Sequence, residues 1–239
     1  MRLNRFLSRA GITSRREADE LLNGGRVLVN GEPVLKPGKV IDTDEDIVEF
    51  DGRVIRLPSE YTYIAFNKPS GIVTTMGDGQ GRPTIESYIE AMEKVLKLSG
   101  GLFPVGRLDT DTTGLIIITN DGQYAERVIH PRYEVEREYI LTLDKKIEDA
   151  EMNKIERGVM LSDGRTLPAK VVYKGIGFTY SIVVREGRKR LIRRMFDKFG
   201  YSVVSLKRVR IGALKLGSLV EGEWRLLSRE EAGLAQFKF

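Results

Sequence analysis

The segment GRLDTDTTGLIIITNDG, residues 106–122, joins a polar stretch to an apolar one. Leu115 to Thr119 is an apolar run with the length of a buried strand, and the Asn-Asp-Gly that follows it predicts a turn. The polar half ends directly before the strand and holds two carboxylates, Asp109 and Asp111, so a carboxylate is predicted at the edge of a core. Taken alone, the pattern favours a turn in which Asp109 or Asp111 bonds the backbone.

On both sides of this segment, strand patterns outnumber helix patterns. Helical periodicity is present at 84–98 and at 188–199, where the apolar side chains recur at spacings of three and four. Strand patterns without regular alternation with helices favour an α+β fold with a largely antiparallel mixed sheet and flanking helices. The predicted strands are 63–66, 115–119, 139–143, 169–173, 180–184, 202–209 and 223–227.

The first 55 residues have a pattern of their own. Apolar side chains at helical spacing predict a short helix that ends at Gly11, and Ser14 with Glu17 reads as a capping box that opens a second helix. Asn30-Gly31 is a strong signal for a tight hairpin, and Asp51-Gly52 marks another turn. The sequence therefore predicts a helix-helix-hairpin unit ahead of the longer α+β region.

Positive charge is concentrated in two places. The chain has a net charge of +5 and a pI near 9.3. Residues 185–198 hold seven basic and two acidic side chains, so this segment alone carries +5 and the remainder is neutral in sum. A second cluster of arginines lies in the N-terminal unit. A single run of arginines is most often a solvated helix face, but two localised runs favour a polyanionic partner such as nucleic acid.

Composition excludes several classes of site. The chain has no cysteine and a single histidine, His130, which excludes a disulfide framework, a thiolate metal site and a multi-histidine metal centre. No apolar run approaches the ~18 residues of a membrane helix, and residues 1–16 lack the apolar core of a signal peptide. We therefore expect a cytoplasmic protein that binds no metal.

The N-terminal unit resembles the S4-type RNA-binding domain. The resemblance rests on Arg2-Leu3, Leu7, Gly11, Ser14-Arg15, Ala18, Gly25 and Val27-Leu28-Val29-Asn30-Gly31. It implies that two helices and a hairpin present arginines to folded RNA. Guanidinium groups on a rigid face can pair with phosphates and so position an enzyme without reading bases.

The rest of the chain resembles the pseudouridine synthases, specifically the ribosomal RNA branch that carries an N-terminal S4-type domain. Arg107-Leu108-Asp109 followed by Thr112-x-Gly114-Leu115 is similar to the family's active-site signature. Further segments follow in the family's order, namely 66–71, 119–122, His130-Pro131, Arg137-Glu138-Tyr139 and 186–195. Segments 161–166 and 208–212 are closer to the large-subunit (23S) branch than to the small-subunit (16S) branch.

This resemblance implies roles for three residues. Asp109 is the catalytic carboxylate, which attacks the ribose of a flipped-out uridine or stabilises and deprotonates it; the sequence leaves both open. Tyr139 stacks on the base and can bond or move a proton. Arg193 lies against Asp109 and keeps it charged in a partly dry pocket. The alternatives are a half-buried strand tyrosine for Tyr139, a phosphate contact for Arg193, and Arg194 in its place.

The predicted organisation is an S4-like domain over 1–55, a linker over 56–62 and a catalytic domain over 63–239. We expect ribosomal RNA or a ribosomal subunit precursor as partner, a monomeric protein, no membrane and no cofactor, because the reaction is an isomerisation. The expected RNA-binding residues are Arg2, Arg5, Arg9, Arg15, Arg16, Arg26, Lys68, Arg107, Arg188, Lys189, Arg190 and Arg194.

Two other functions are compatible with the basic patches. A non-catalytic RNA-binding or ribosome-assembly factor could keep the fold, but the joint presence of Asp109, Tyr139 and Arg193 argues against it. Another RNA enzyme, such as a nuclease or a methyltransferase, is disfavoured because the sequence has no metal-binding carboxylate cluster and no nucleotide-binding glycine loop.

Overall fold

Two units make up the structure, a computed structural model that describes residues 1–13, 15–58, 60–98 and 101–233, without the side chains of Arg15 and Arg16. The first unit comprises residues 1–62, 88–103 and 119–122, and the second comprises 63–87, 104–118 and 123–239. Both combine helices with strands, which confirms the predicted α+β class.

In the first unit, apolar residues at helical spacing form the inward sides of two N-terminal helices. These helices pack on a small sheet with the strand order β2-β1-β3-β4. The core is formed by one side of each helix together with the inward side of the strands, and Leu7, Ala18, Leu22 and Val27 are completely buried. Its elements are α1 (Leu3–Arg9), α2 (Arg15–Asn23), β1 (Val27–Val29), β2 (Glu32–Pro33), β3 (Val48–Phe50), β4 (Arg53–Ile55) and most of α3 (Glu86–Leu96).

Both predicted tight turns are confirmed. Val29 pairs with Glu32 across Asn30-Gly31, and Phe50 pairs with Arg53 across Asp51-Gly52. All four turn residues have positive φ, between 48° and 79°, as a two-residue hairpin loop of this hand requires. Of the predicted capping box, Ser14 lies outside the described residues, and the carboxylate of Glu17 accepts a hydrogen bond from the Thr13 hydroxyl at 2.9 Å.

The second unit is built on one large sheet with the strand order β11-β12-β8-β13-β7-β5-β15, and β14 pairs with β13. Its further elements are β5 (Tyr63–Lys68), β6 (Phe103–Pro104), β7 (Thr113–Thr119), α4 (Gly122–Ile129), a 3-10 turn (Pro131–Tyr133), β8 (Arg137–Leu143), α5 (Asp149–Glu156), β9 (Met160–Leu161), β10 (Gly164–Arg165), β11 (Lys170–Tyr173), β12 (Thr179–Val184), α6 (Leu191–Asp197), β13 (Val203–Ile211), β14 (Leu214–Lys215) and β15 (Trp224–Leu226).

Strand β13 has a central position in this sheet. It runs antiparallel to β8 on one side and parallel to β7 on the other. One face of β8, β12 and β13 packs on α5 and α6, where the core includes Leu141, Ile182, Ile155, Met195 and Phe196. The parallel pairing brings the start of β7, and therefore the loop that holds Asp109, beside the middle of β13.

The helix predicted over 188–199 was too long at its N-terminal end. Helix α6 begins at Leu191, because Arg190 has left-handed backbone angles (φ 49°, ψ 34°) that cannot continue a right-handed helix. Arg188, Lys189 and Arg190 therefore lie in a loop. Within the described part of the chain, helix length and hydropathy fall short of what a bilayer span needs.

Candidate active site

The Asp109 side chain is half-buried in a turn directly before β7. The turn is closed by the backbone, since the Thr112 N–H donates to the Asp109 carbonyl at 3.0 Å. The preceding residue, Leu108, is also held in place, because its carbonyl accepts a hydrogen bond of 2.9 Å from the Thr74 hydroxyl. Among the described residues, neither a hydrogen bond nor an ion pair engages the Asp109 carboxylate, so this side chain is not the one that closes the turn.

Lys68 lies beneath this turn. Its side chain is completely buried at the end of β5. The ammonium donates to backbone carbonyls at 2.9, 2.8 and 3.5 Å, those of Pro69, Ile72 and Thr110. The expectation that Lys68 contacts RNA is therefore wrong, because the phosphate of a bound strand cannot reach a buried ammonium that is already surrounded by carbonyl oxygens.

The environment of Lys68 also changes the pKa of its ammonium group. Burial lowers the pKa of the Lys68 ammonium to about 8, although the charges of Asp111, Asp109 and Glu221 oppose this shift. Both aspartates of the turn are therefore close enough for their charges to act on the Lys68 ammonium. Lys68 is thus a buried positive charge beside the Asp109 turn, and its contact with the turn itself is the 3.5 Å hydrogen bond to the Thr110 carbonyl.

Arg193, on α6, pairs with Asp111 and not with Asp109. Its Nη2 lies 3.0 Å from Asp111 Oδ2 and donates to the Asp111 carbonyl at 3.4 Å, while its Nη1 donates to the Val203 carbonyl at 2.6 Å. The implied ion pair with Asp109 is therefore corrected, because the turn directs the side chain of Asp111 towards α6. Arg190 adds a second, longer contact of 3.5 Å to Asp111 Oδ2.

Tyr139 lies in β8, directly opposite Arg208 of β13. The ring is partly buried against the core between the sheet and α5–α6, so the reading as a half-buried strand tyrosine describes its packing correctly. The Arg208 guanidinium carbon is 6.0 Å from the ring centroid. Arg208 Nε donates to the carbonyl of Leu115, the second residue after Thr113 in β7, at 2.7 Å.

Arg188 and Arg194 are engaged elsewhere. Arg194 bonds both oxygens of Asp163, at 2.5 and 3.0 Å, and Arg188 Nη1 reaches the same carboxylate at 3.1 Å. Arg188 also bonds Glu186 and, with its remaining N–H groups, the carbonyls of Asp163, Gly164 and Arg165. The pKa of Asp163 is lowered to about 2, mainly because Arg194 donates hydrogen bonds to its carboxylate. Both arginines clamp the β9–β10 hairpin, and only the exposed Lys189 remains without such a bond in the described structure.

The other basic residues expected at RNA fall into three groups. Arg2, Arg5 and Arg107 have no ion pair among the described side chains. Arg26 bonds Asp51 through Nε and Nη2, at 2.9 and 2.5 Å, and Arg9 donates to the Tyr61 hydroxyl. The side chains of Arg15 and Arg16 lie outside the described residues.

Three functional candidates were missed by the sequence analysis, namely Asp111 as the partner of Arg193, Lys68 as a buried support, and Arg208. The sequence did contain a signal for Arg208. Leu206 and Arg208 are two residues apart in a predicted strand, so they lie on the same face, and the apolar Leu206 predicts that this face points inward. No three histidine, aspartate or glutamate side chains of the described residues group as a metal-binding cluster.

Comparison with known proteins identifies the family. Residues 62–198 match the model of RNA pseudouridylate synthases, and residues 1–48 match the S4 domain. The chain belongs to the RNA pseudouridylate synthase family. This family match contains Lys68, Asp109, Tyr139 and Arg193, but not Arg208.

Relatives are similar over nearly the whole chain. An uncharacterized RNA pseudouridine synthase of Aquifex aeolicus is 41% identical over 235 residues, which covers 97% of this chain and 92% of the relative. The ribosomal large subunit pseudouridine synthase B of Bacillus subtilis is 34% identical, with 96% and 93% covered. A crystal structure of a pseudouridylate synthase superposes with a TM-score of 0.70 at 31% identity and covers 98% of both chains.

Proposed function

We propose that this pseudouridine synthase isomerises uridine in ribosomal RNA, with Asp109 as the catalytic carboxylate and 23S RNA as the favoured substrate. The reaction breaks the bond between C1′ of the ribose and N1 of the uracil, turns the base and forms a bond from C1′ to C5. The hydrogen on C5 leaves as a proton and N1, released from the ribose, takes up a proton, so the reaction is an isomerisation that needs no co-reactant. A carboxylate at the sugar and a group that moves a proton at the base are what this reaction needs.

One observation carries the proposal: the Asp109 carboxylate is half-buried, lies in a turn that the backbone closes, and is free of any partner within the described residues. A carboxylate that only shapes a turn would bond the backbone, and here the backbone closes the turn by itself. The buried Lys68 ammonium lies beside this turn, 3.5 Å from the Thr110 carbonyl oxygen. We assign to Arg193 the electrostatic support of this turn, and to Tyr139 the contact with the base.

Recognition of RNA is assigned to the S4-like domain over 1–55 and to the catalytic domain over 63–239, joined by the linker over 56–62. Arg2, Arg5, Arg107 and Lys189 are the best placed for phosphates, because they have no competing carboxylate partner in the described structure. The name of the Bacillus subtilis relative supports the large-subunit RNA as substrate. We further expect a monomer that acts in the cytoplasm on ribosomal RNA or a ribosomal subunit precursor.

The proposal is tested with 23S and 16S transcripts that carry tritium at C5 of uridine. Release of the label measures isomerisation, and we expect Asp109→Asn to lower the rate by about 1,000-fold or more. Asp149→Asn, at the exposed first turn of α5, is the matched control and should leave the rate unchanged. Full activity of Asp109→Asn would refute the assignment, and absence of label release with every RNA would favour a non-catalytic binding factor.

Mapping of pseudouridines in ribosomal RNA from cells with and without the gene then identifies the substrate. A site in 23S RNA that disappears with the gene agrees with the proposal. A site lost only from 16S RNA would overturn the choice of subunit and leave the chemistry intact.

A further inference from the structure

Arg208 is a buried arginine without a carboxylate. Its side chain lies in the middle of β13 and the residue is only 3% exposed. Of the ion pairs formed by the described residues, none includes Arg208. Burial of a guanidinium without a counter-charge costs free energy, so a buried arginine of this kind needs compensating contacts.

The contacts that Arg208 does make join two strands. Its Nε donates to the Leu115 carbonyl at 2.7 Å, and Leu115 follows the Asp109 turn in β7. Its guanidinium carbon lies 6.0 Å from the centroid of the Tyr139 ring in β8, within the range of a cation–π interaction. One guanidinium therefore contacts the strand that follows Asp109 and the ring of Tyr139.

The backbone brings the two strands to the same residue. Arg208 is opposite Gly114 in the parallel pairing and opposite Tyr139 in the antiparallel pairing. A Cβ at Gly114, where φ is +106°, would lie 2.2 Å from the Arg208 carbonyl oxygen. Only glycine permits this close approach, so Gly114, the second residue of β7, allows β7 to lie tight against β13 at the position of Arg208.

The guanidinium also has an unused donor. Arg208 Nη2 is buried and makes no hydrogen bond to any residue that the structure describes. A second buried arginine, Arg137, lies on the same strand as Tyr139 and bonds the carbonyls of Val128 and Val135. The Leu115 carbonyl and the ring of Tyr139 thus both lie against the Arg208 guanidinium, and this contact restricts the orientation of the ring.

We propose that Arg208 is a positioning residue, which fixes the Tyr139 ring relative to the Asp109 turn. The inference rests on the proposed function, because it assumes that Tyr139 and Asp109 act on the same nucleotide. Arg208 itself is too deeply buried to touch RNA. Its loss should therefore lower kcat, which depends on the relative placement of the reacting groups, and leave KM nearly unchanged.

The test uses Arg208→Met and Arg208→Lys with C5-tritiated RNA. We expect Arg208→Met to lower kcat by about 10- to 100-fold, with KM and the Kd for RNA within about threefold of the original values. Arg208→Lys keeps a charge near the ring and should recover part of kcat. Arg210→Met, two residues along β13, is the matched control, because Arg210 bonds Glu136 and Glu138 and should leave kcat unchanged.

A double-mutant cycle with Tyr139→Leu separates positioning from a structural role. If Arg208 acts through Tyr139, Arg208→Met should cause little further loss of kcat when Tyr139→Leu is already present. Additive losses, a change in KM alone, or a normal kcat in Arg208→Met would overturn the inference. Should Arg208→Met fail to fold by circular dichroism, the same cycle is run with Arg208→Lys, and the same outcomes apply.

Failure of this inference is distinguishable from failure of the proposed function. If Asp109→Asn is inactive while Arg208 and Tyr139 variants behave additively, only the positioning role is lost. If Asp109→Asn is fully active, the proposed site falls regardless of Arg208.

Discussion

Two carboxylates divide the arginines of the segment 188–194 between them. Asp163, in the β9–β10 hairpin, holds Arg188 and Arg194, whereas Asp111, within the Asp109 turn, holds Arg190 and Arg193. The two carboxylates are similarly exposed, at 44% and 50% of the side chain. The clusters differ in what surrounds them, since only the Asp111 cluster adjoins the candidate catalytic residue.

The two clusters also differ in how many of their polar groups have hydrogen-bond partners. In the Asp163 cluster, Arg188 and Arg194 use most of their N–H groups on the hairpin, so the cluster is a structural clamp. In the Asp111 cluster, Arg193 Nε is buried, and neither it nor the nearby Asp109 carboxylate has a partner among the residues that the structure describes. Neighbouring arginines of one basic run therefore have different roles, and each role is set by the carboxylate that the fold brings to it.

The largest expected effect separates Arg193 from Arg194. Arg193→Met removes the positive charge beside the Asp109 turn, and we expect kcat to fall by about 100- to 1,000-fold. Arg194→Met removes a contact of the hairpin clamp, and kcat should stay within about threefold. The measurement is release of the C5 label at saturating RNA. Equal losses in the two variants would show that the two clusters do not differ in function.

A smaller effect is expected at Lys68, beside the Asp109 turn. It concerns how the free energy of unfolding depends on pH. Because burial lowers the pKa of Lys68 to about 8, the unfolded chain, with a lysine pKa of about 10.4, binds more protons than the folded chain between these values. The contribution of Lys68 to the free energy of unfolding should therefore rise with pH from about 8 to about 10.

Urea unfolding of the original protein and of Lys68→Met across this pH range checks the expectation. The difference in free energy of unfolding between the two should shift in favour of the original protein as the pH rises. A difference that is independent of pH would mean that Lys68 is not protonated differently in the folded and unfolded chains.

The smallest effect belongs to Asp163. Its pKa of about 2 lies below the usual value, so its contribution to stability is present above pH ~4 and is lost as the pH falls towards 2. Asp163→Asn should lower the midpoint of thermal unfolding only slightly at pH 6, because exposed ion pairs contribute little. The difference from the original protein should vanish near pH 2, and kcat should not change at pH 7. A large loss of kcat would place this clamp in the catalytic machinery.

The elements that sequence patterns predicted well are those fixed by neighbours along the chain. Asn30-Gly31 and Asp51-Gly52 give their turns because these residues tolerate positive φ, whatever surrounds them. The apolar run 115–119 gives the buried strand β7 because no surface position would suit it. The N-terminal end of α6 was missed because the left-handed angles of Arg190 leave no pattern in the sequence.

Partners across the sheet could not be predicted in the same way. The sequence places two aspartates before β7 and four arginines in one run, and many pairings satisfy the same charges. Helix α6 and the turn before β7 meet only in the folded chain, and there Arg193 reaches Asp111. The burial of Lys68 could not be predicted either, since lysine side chains are almost never fully buried.

The sequence by itself determined the α+β class, the helix-helix-hairpin unit and the choice of Asp109, because local patterns and a family-like order of motifs lie along the chain. Only the tertiary structure decided which charges are used internally and which remain free, because ion pairs and burial depend on residues distant in sequence. Arg208 is an example of both. Its place on an inward strand face can be predicted from the sequence. Its contacts with Leu115 and Tyr139 form only because β7, β13 and β8 lie side by side in the folded chain.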